Sequence, residues 1–206
     1  MKKIKVGIIE SGFGNIASVI NAIRFLKHDY KVVKQPNELK SLTHLILPGV
    51  GSFNKAAKKL KKNGWHPVLK KFANEGKALL GICMGMQLLF EEGTEHGTTE
   101  GLGLFKGRCE IFKKNKNFPL PHVGFNLVQH SNTKIWNGII NYSPFYFVHS
   151  YRVLPTLEKT KVGITDYGEK FISFIEKKNI FGAQFHPEKS HRAGLVLLKN
   201  FVEKIR

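Results

Sequence analysis

The chain has 206 residues, of which 42% are hydrophobic, so it is long and apolar enough to bury one sizeable core. No apolar run approaches the roughly 20 residues that a membrane-spanning helix needs, and we expect a single soluble domain over residues 1–206 with no membrane segment. The formal net charge is +18, yet 28 of the 33 basic residues are lysines, scattered along the chain without a nucleic-acid motif. This pattern argues against nucleic-acid binding and favours attraction to an acidic partner protein.

The first half of the chain alternates between strand and helix patterns. Strands are predicted near residues 4–9, 31–34, 43–47 and 77–82, with helical patterns near 14–27 and 53–75 between them. Such alternation is typical of a parallel sheet with covering helices, because parallel strands need crossover connections.

The second half of the chain is rich in strand and turn patterns from about 107 to 184 and ends in an amphipathic helix over 191–205. We therefore predict an α/β fold: a doubly wound, mostly parallel sheet flanked by helices, with an added antiparallel portion. Ligands in such sheets bind beyond the carboxyl ends of the strands, where Gly12, Pro48 and Cys83 fall.

Cys83 lies where an apolar strand meets a helix, with Gly81 and Gly85 two residues away on either side. This spacing matches the strained strand-to-helix turn that exposes a nucleophile above a sheet, where a Cβ would collide with the tight backbone. The helix that begins at Met84 directs its first amides toward the sulfur and favours the thiolate. A lone cysteine after a strand is most often a buried apolar residue, so the catalytic interpretation needs a base as well.

His186-Pro-Glu188 supplies the candidate base. Residues 179–184 are predicted to form a short strand, and Pro187 ends it in an extended turn. On extended chain, His186 and Glu188 share one face, so the carboxylate can bind one imidazole nitrogen while the other nitrogen faces the sulfur. Cys83, His186 and Glu188 are therefore our candidate nucleophile, base and orienting acid.

The remaining motifs argue against cofactors. Gly12-Phe-Gly-Asn-Ile-Ala17 superficially matches a dinucleotide fingerprint, but the strand near 31–35 lacks the acidic residue of an NAD site, although Lys34 leaves NADP formally open. We expect no cofactor, because the family resemblance described below explains this segment better. No paired Cys or His spacing suggests a metal.

A disulfide between Cys83 and Cys109 would silence the nucleophile, so we expect a reducing, cytoplasmic environment.

The turn after Pro48, Gly-Val-Gly-Ser52, can present a backbone amide to an oxyanion. We predict donors from Val50 or Gly51 and from Met84, the residue after the nucleophile. Gln87 lies one helical turn beyond the sulfur, where it can address a substrate.

Together, residues 81–87 and 186–188 resemble the class I, triad-type glutamine amidotransferases, which hydrolyse glutamine and pass ammonia to a synthase. Within that group the chain is similar, over essentially its whole length, to the glutaminase (HisH-type) subunits of imidazole glycerol phosphate synthase. The segments that carry this resemblance are 45–53, 121–126, 146–151 and 184–190.

The resemblance implies a set of roles beyond the triad. Gln87 and the backbone of Gly51, His149, Ser150 and Tyr151 would bind glutamine. A partner surface would include Asn15, Phe125, Tyr146 and Lys189. The partner would be a cyclase subunit of the HisF type, in a heterodimer, with ammonia passing into the partner to make imidazole glycerol phosphate and an aminoimidazole ribotide in histidine biosynthesis.

Two departures from the family pattern keep alternatives open. Glu10-Ser-Gly12 stands where the family usually has Asp-Tyr-Gly, and Gly124-Phe-Asn126 where it has Gly-Trp-Asn. Because a tryptophan anchor is a frequent hot spot, Phe125 suggests a weaker contact or a different partner. One alternative is a related chain that supplies ammonia to a sugar amidotransferase in surface glycan synthesis. The other is a catalytically silent scaffold that binds a partner.

Overall fold

The computed structural model describes residues 4–205 except 11, 15, 114, 157 and 158. Its strands are β1 Val6–Ile9, β2 Tyr30–Val33, β3 His44–Gly49, β4 Ala78–Cys83, β5 Phe90–Gly93, β6 Thr99–Glu100, β7 Phe105–Ile111, β8 His122–His130, β9 Ser143–His149, β10 Tyr151–Pro155, β11 Lys161–Asp166, β12 Lys170–Lys177 and β13 Ile180–Ala183. Its helices are α1 Ile16–Phe25, α2 Phe53–Lys62, α3 Trp65–Asn74, α4 Met84–Leu88 and α5 His191–Lys204.

The parallel part of the sheet has the strand order β2-β1-β3-β4-β13. Its strands are short and apolar, and every residue of β3 and β4 is buried, as expected for strands covered on both faces. The predicted strands near 4–9, 31–34, 43–47, 77–82 and 179–184 are confirmed within one or two residues at each end.

The antiparallel portion continues from β13 through β12, β10 and β7, and a branch pairs β12 with β11, β11 with β8, and β8 with β9. It contributes more strands than the parallel part. The predicted α/β fold class with an added antiparallel portion is confirmed, and β8 and β9 extend as a ribbon beside the carboxyl end of β4.

Helices cover both faces of the parallel strands, as a doubly wound sheet requires. α1 and α5 pack on one face through Val19, Ile23, Leu198 and Phe201. α2 and α3 pack on the other face through a separate apolar cluster that includes Phe53, Leu60, Trp65, Leu69 and Phe72. In the described part of the chain, no helix is long and apolar enough to cross a membrane.

The helical pattern near 53–75 is two helices rather than one. α2 ends at Lys62, and Gly64 takes the left-handed conformation with φ of +73° before α3 begins. Glycine adopts this conformation at little cost, so the chain turns there and both apolar faces reach the sheet.

Candidate active site

Cys83 ends β4 in a strained turn. Its φ and ψ are +54° and −112°, a conformation that a residue with a side chain rarely adopts, and α4 begins at the next residue. The backbone is so close that a Cβ at Gly85 would collide with the carbonyl oxygen of Leu47, and one at Gly81 would collide with the backbone of Gly85. The two glycines therefore permit the turn that the sequence predicts.

His186 and Glu188 form a buried pair. His186 Nδ1 lies 2.7 Å from Glu188 Oε1, and each side chain is 4% exposed. The predicted extended geometry is wrong in one detail: Pro187–Lys189 is a single 3-10 turn, because proline at the first helical position favours helix initiation. The turn still brings the carboxylate back to the ring.

The backbone of His186 is held on both sides. Its N–H donates to the Tyr146 carbonyl at 2.8 Å, and the Ser190 hydroxyl donates to its carbonyl at 2.6 Å. The Tyr146 N–H in turn donates to Ser190 Oγ at 3.0 Å. These three hydrogen bonds close a ring that joins β9 to the histidine.

Cys83 and His186 come together because β4 and β13 are parallel neighbours, with Ile82 opposite Ala183. Burial lowers the pKa of His186, but interaction with Cys83 and with Glu188 raises it by more, to about 10. The ring is therefore protonated at neutral pH. Its Nε2 is buried and makes no hydrogen bond to any atom in the described part of the chain.

We expect Cys83→Ala to lower the pKa of His186, because the variant removes the sulfur that stabilises the imidazolium. In the wild type, the His186 ring stays protonated well above pH 6.5 and loses its proton as the pH approaches 10. Nitrogen-15 NMR titration of the histidine rings measures both values. Cys109→Ala, at the other buried cysteine, is the matched control and leaves the titration unchanged. Equal pKa values of His186 in Cys83→Ala and wild type would contradict an interaction between the Cys83 sulfur and the His186 ring.

The predicted oxyanion turn lies beside the nucleophile. Gly49 pairs with Cys83 in the sheet, Val50 is 44% exposed, and Gly51 has φ of +100°. Met84 is the first residue of α4, so its backbone N–H is one of the four that a helix leaves unpaired at its start. The structure thus brings the predicted donors to the same edge as the sulfur.

Two of the predicted glutamine-binding residues, Gln87 and Tyr151, are hydrogen-bonded to each other. Gln87 is buried, and its Nε2 donates to the Tyr151 carbonyl at 3.3 Å, while Oε1 is buried without a partner among the described residues. His149 ends β9, and Ser150 joins it to Tyr151 at the start of β10. The carbonyl of Val148 lies 3.9 Å from the Cys83 sulfur, so this segment borders the nucleophile.

Sequence reasoning did not single out Gln184 or Glu95. Gln184 is fully buried, receives the Gln87 amide at 2.9 Å and places its own Nε2 3.8 Å from the Cys83 sulfur. Glu95 accepts the Phe53 N–H at 2.6 Å, and its carboxylate is one cause of the raised pKa of the Tyr151 hydroxyl, after burial. The position of Gln184, two residues before His186 and directly after β13, is the one signal that could have indicated its place beside the sulfur.

Three of the four predicted partner residues form a docking cluster, by which we mean Phe125, Tyr146 and Lys189. Phe125 is 48% exposed and packs against Tyr146 with ring centroids 5.5 Å apart, and the Lys189 ammonium lies 5.7 Å above the Tyr146 ring. Asn15 lies outside the described residues. The same face of β8 and β9 exposes further apolar side chains, Val123, Leu127 and Val148.

The arrangement suits acyl transfer to a thiol. In the described part of the chain, no group of three or more His, Cys, Asp or Glu side chains is arranged to hold a metal ion. What the site presents is a cysteine at a strained turn, a protonated histidine and the backbone of the 49–51 turn and of the α4 start at one edge of the sheet.

Comparison with known proteins agrees with this chemistry. The family Glutamine amidotransferase class-I matches residues 7–205. The chain therefore belongs to the class-I glutamine amidotransferases, and it is an enzyme of that family.

Two similar relatives are HisH subunits of imidazole glycerol phosphate synthase. The chain is 45% identical to the imidazole glycerol phosphate synthase subunit HisH of Desulfitobacterium hafniense (strain DSM 10664 / DCB-2), over 95% of this chain and 92% of that protein. It is 44% identical to the protein of the same name from Caldanaerobacter subterraneus subsp. tengcongensis, over 98% of each. Among solved structures, a glutamine amidotransferase superposes with a TM-score of 0.74 at 21% identity, covering 96% of this chain and 97% of the other, which supports the fold.

Proposed function

We propose that the chain is the glutaminase subunit of an imidazole glycerol phosphate synthase, with residues 1–206 as one amidotransferase domain. The observation that carries the proposal is the strained Cys83 turn beside the buried His186–Glu188 pair, in a chain 45% identical to a HisH subunit. Both cysteines are free thiols, which suits the reducing cytoplasm in which we place the reaction.

Glutamine would bind above Gln87. Because both hydrogens of its amide are used within the protein, the unpaired Oε1 is left to accept a hydrogen bond from the substrate. The Glu95 carboxylate, beside Tyr151, has the charge to bind the substrate ammonium group. The backbone of Gly51 and of residues 149–151 would close the pocket and hold the side-chain amide over the sulfur.

The first half of the reaction forms a thioester. The Cys83 thiolate attacks the side-chain carbonyl carbon, and the oxygen takes the negative charge between the amides of Met84 and of Val50 or Gly51. The carbon–nitrogen bond then breaks as the His186 imidazolium gives its proton to the nitrogen, so ammonia leaves.

The second half releases glutamate. The imidazole of His186, now neutral, takes a proton from water, and the hydroxide adds to the thioester carbon. The carbon–sulfur bond breaks, which restores the thiolate and leaves His186 protonated once more. Glu188 stays ionised throughout and stabilises the imidazolium, as the acid of a triad does.

The ammonia would pass to a cyclase subunit of the HisF type, bound at the docking cluster in a heterodimer. That subunit would combine ammonia with a phosphorylated ribulosyl intermediate to give imidazole glycerol phosphate and the aminoimidazole ribotide. Exposed aromatic and apolar side chains on β8 and β9, flanked by Lys189, are suited to a protein partner.

The test measures glutamate release from glutamine by the purified chain, alone and with the cyclase subunit of the same organism and its nucleotide substrate. We expect strong stimulation by the partner. Phe125→Ala should require roughly tenfold more partner for half-maximal stimulation, since it removes an aromatic anchor. Phe25→Ala is the matched control, because Phe25 is 73% exposed at the end of α1 and lies outside the docking cluster.

Absence of stimulation by the cyclase, in a chain that still hydrolyses glutamine, would overturn the histidine-pathway assignment and favour a sugar amidotransferase as acceptor. Absence of glutamine hydrolysis in every complex would overturn the glutaminase assignment and favour a silent scaffold. Equal responses of Phe125→Ala and Phe25→Ala would remove the docking cluster from the interface.

A further inference from the structure

Two buried histidines face each other across the β8–β9 ribbon, next to the candidate active site. His122 and His149 are 3% and 6% exposed and are directly opposite in the strand register. His122 Nδ1 lies 3.1 Å from His149 Nε2. A buried pair of this kind needs complementary hydrogen positions, since two facing donors or two facing acceptors would be costly.

Asn126 sets the direction of the hydrogen bonds. Its Oδ1 accepts the N–H of Leu127 at 2.8 Å, and its Nδ2 donates to the Asp166 carbonyl at 2.8 Å. The same Nδ2 lies 3.4 Å from His122 Nε2. An amide nitrogen only donates, so His122 Nε2 is an acceptor.

The tautomers of both rings follow from that acceptor. A neutral His122 with an acceptor at Nε2 carries its hydrogen on Nδ1 and donates to His149 Nε2. His149 then carries its hydrogen on Nδ1 and donates to the Tyr151 carbonyl at 2.8 Å. Burial lowers the pKa of His122 to about 4 and that of His149 to about 3, so both rings are neutral, as the chain of donors and acceptors requires.

This series of hydrogen bonds ends at the predicted glutamine pocket. The Tyr151 carbonyl that accepts from His149 also accepts one hydrogen of Gln87 Nε2, and the other hydrogen goes to Gln184 Oε1 at 2.9 Å. Gln87 is thereby held with its oxygen unpaired. A rotated Tyr151 carbonyl would free the Gln87 amide to turn over and present a donor instead.

We propose that His122 and Asn126 are positioning residues of the glutaminase reaction. They hold the His149 ring in place through its Nε2, in the tautomer that the Tyr151 carbonyl also requires, and so keep that carbonyl and the Gln87 amide in position with the oxygen of Gln87 toward the substrate. Neither residue touches glutamine. The inference rests on the proposed glutaminase function. We call the hydrogen-bonded series from Asn126 through His122, His149 and the Tyr151 carbonyl to Gln87 the relay. It begins on β8, one residue after Phe125 of the docking cluster.

His122→Phe tests the relay. Phenylalanine keeps the stacking on Tyr167 and Phe147, whose ring centroids lie 3.9 and 4.8 Å from that of His122, but removes both nitrogens. In the complex we expect KM for glutamine to rise about tenfold, the equivalent of one buried hydrogen bond, with kcat within about twofold of wild type. Nitrogen-15 NMR should show the His149 ring keeping its Nδ1–H, which the Tyr151 carbonyl still accepts, while its Nε2 resonance shifts because the hydrogen bond from His122 is lost.

Two further variants separate positioning from stability. His44→Phe is the matched control, because His44 is a buried histidine at the opposite end of β3 from the site, bonded to the Ile205 carbonyl. His122→Gln supplies an amide that can accept from Asn126 and donate to His149, so it should restore KM to within about threefold of wild type.

Equal KM values for His122→Phe and His44→Phe, or an unchanged Nε2 resonance of His149 in His122→Phe, would overturn the relay while leaving glutamine hydrolysis by the wild type in place. Absence of hydrolysis by the wild-type complex would instead overturn the proposed function. In that case the NMR measurement still decides whether His122 donates to His149 Nε2.

Discussion

Cys83→Ala is expected to reduce glutamine hydrolysis in the complex by at least about 10⁴-fold, because no thioester can form without the sulfur. Alanine fits the same turn, so the fold and the docking cluster should be unaffected. Glutamate release with saturating partner measures the effect. When ammonium salt replaces glutamine, the complex should still form the cyclase product at the wild-type rate, since only the ammonia source is lost.

Cys109→Ala is the control for this prediction. Cys109 is 1% exposed in β7, where burial raises the pKa of its thiol well above the usual range, so it is neutral and unreactive. Removing it should cost stability and leave hydrolysis intact. Hydrolysis by Cys83→Ala at the wild-type rate would show that Cys83 is not the nucleophile.

Glu188→Gln is expected to lower kcat for glutamine hydrolysis about a thousandfold. The substitution keeps the size of the side chain but removes the charge that holds the imidazolium 2.7 Å away, so the pKa of His186 falls and the ring loses the partner that orients it. Glutamate release and the NMR titration of His186 are the two measurements, and both should change together.

The matched control is Glu176→Gln. Glu176 is a half-buried carboxylate on β12 that accepts from the Thr133 hydroxyl at 2.7 Å, away from the nucleophile. It should leave kcat unchanged. A loss of less than about tenfold in Glu188→Gln would mean that the carboxylate does not support the base.

The nucleophile turn could be predicted because its constraints are local. The glycines at 81 and 85 and the apolar strand before Cys83 are consecutive in sequence, and the backbone leaves no space for a Cβ at either glycine. His186 and Glu188 are likewise two residues apart. Even so, the sequence did not distinguish an extended segment from the 3-10 turn that forms there, since proline is compatible with both.

Other parts of the site depend on contacts between distant segments, which periodicity does not reveal. The His122–His149 bond is set by the β8–β9 register, and the Gln87–Gln184 bond by the pairing of β4 with β13. Single-sequence patterns fix neither register. The break between α2 and α3 was missed for a different reason: the apolar spacing continues past Gly64, and only its left-handed backbone interrupts the helix.

The parallel pairing of β4 with β13 has a consequence for how such a protein can diverge. Cys83 and Gln184 are 101 positions apart in sequence, yet Cys83 ends β4 while Gln184 and the base His186 closely follow β13, and these two strands are neighbours at the roughly 4.8 Å spacing of any sheet. The distance between nucleophile and base is thus independent of the length and sequence of the segment that joins them. That segment contains β8 and β9, whose exposed residues such as Phe125 can be replaced to suit another partner while the buried His122 and His149 on the same strands keep their contacts beside the nucleophile.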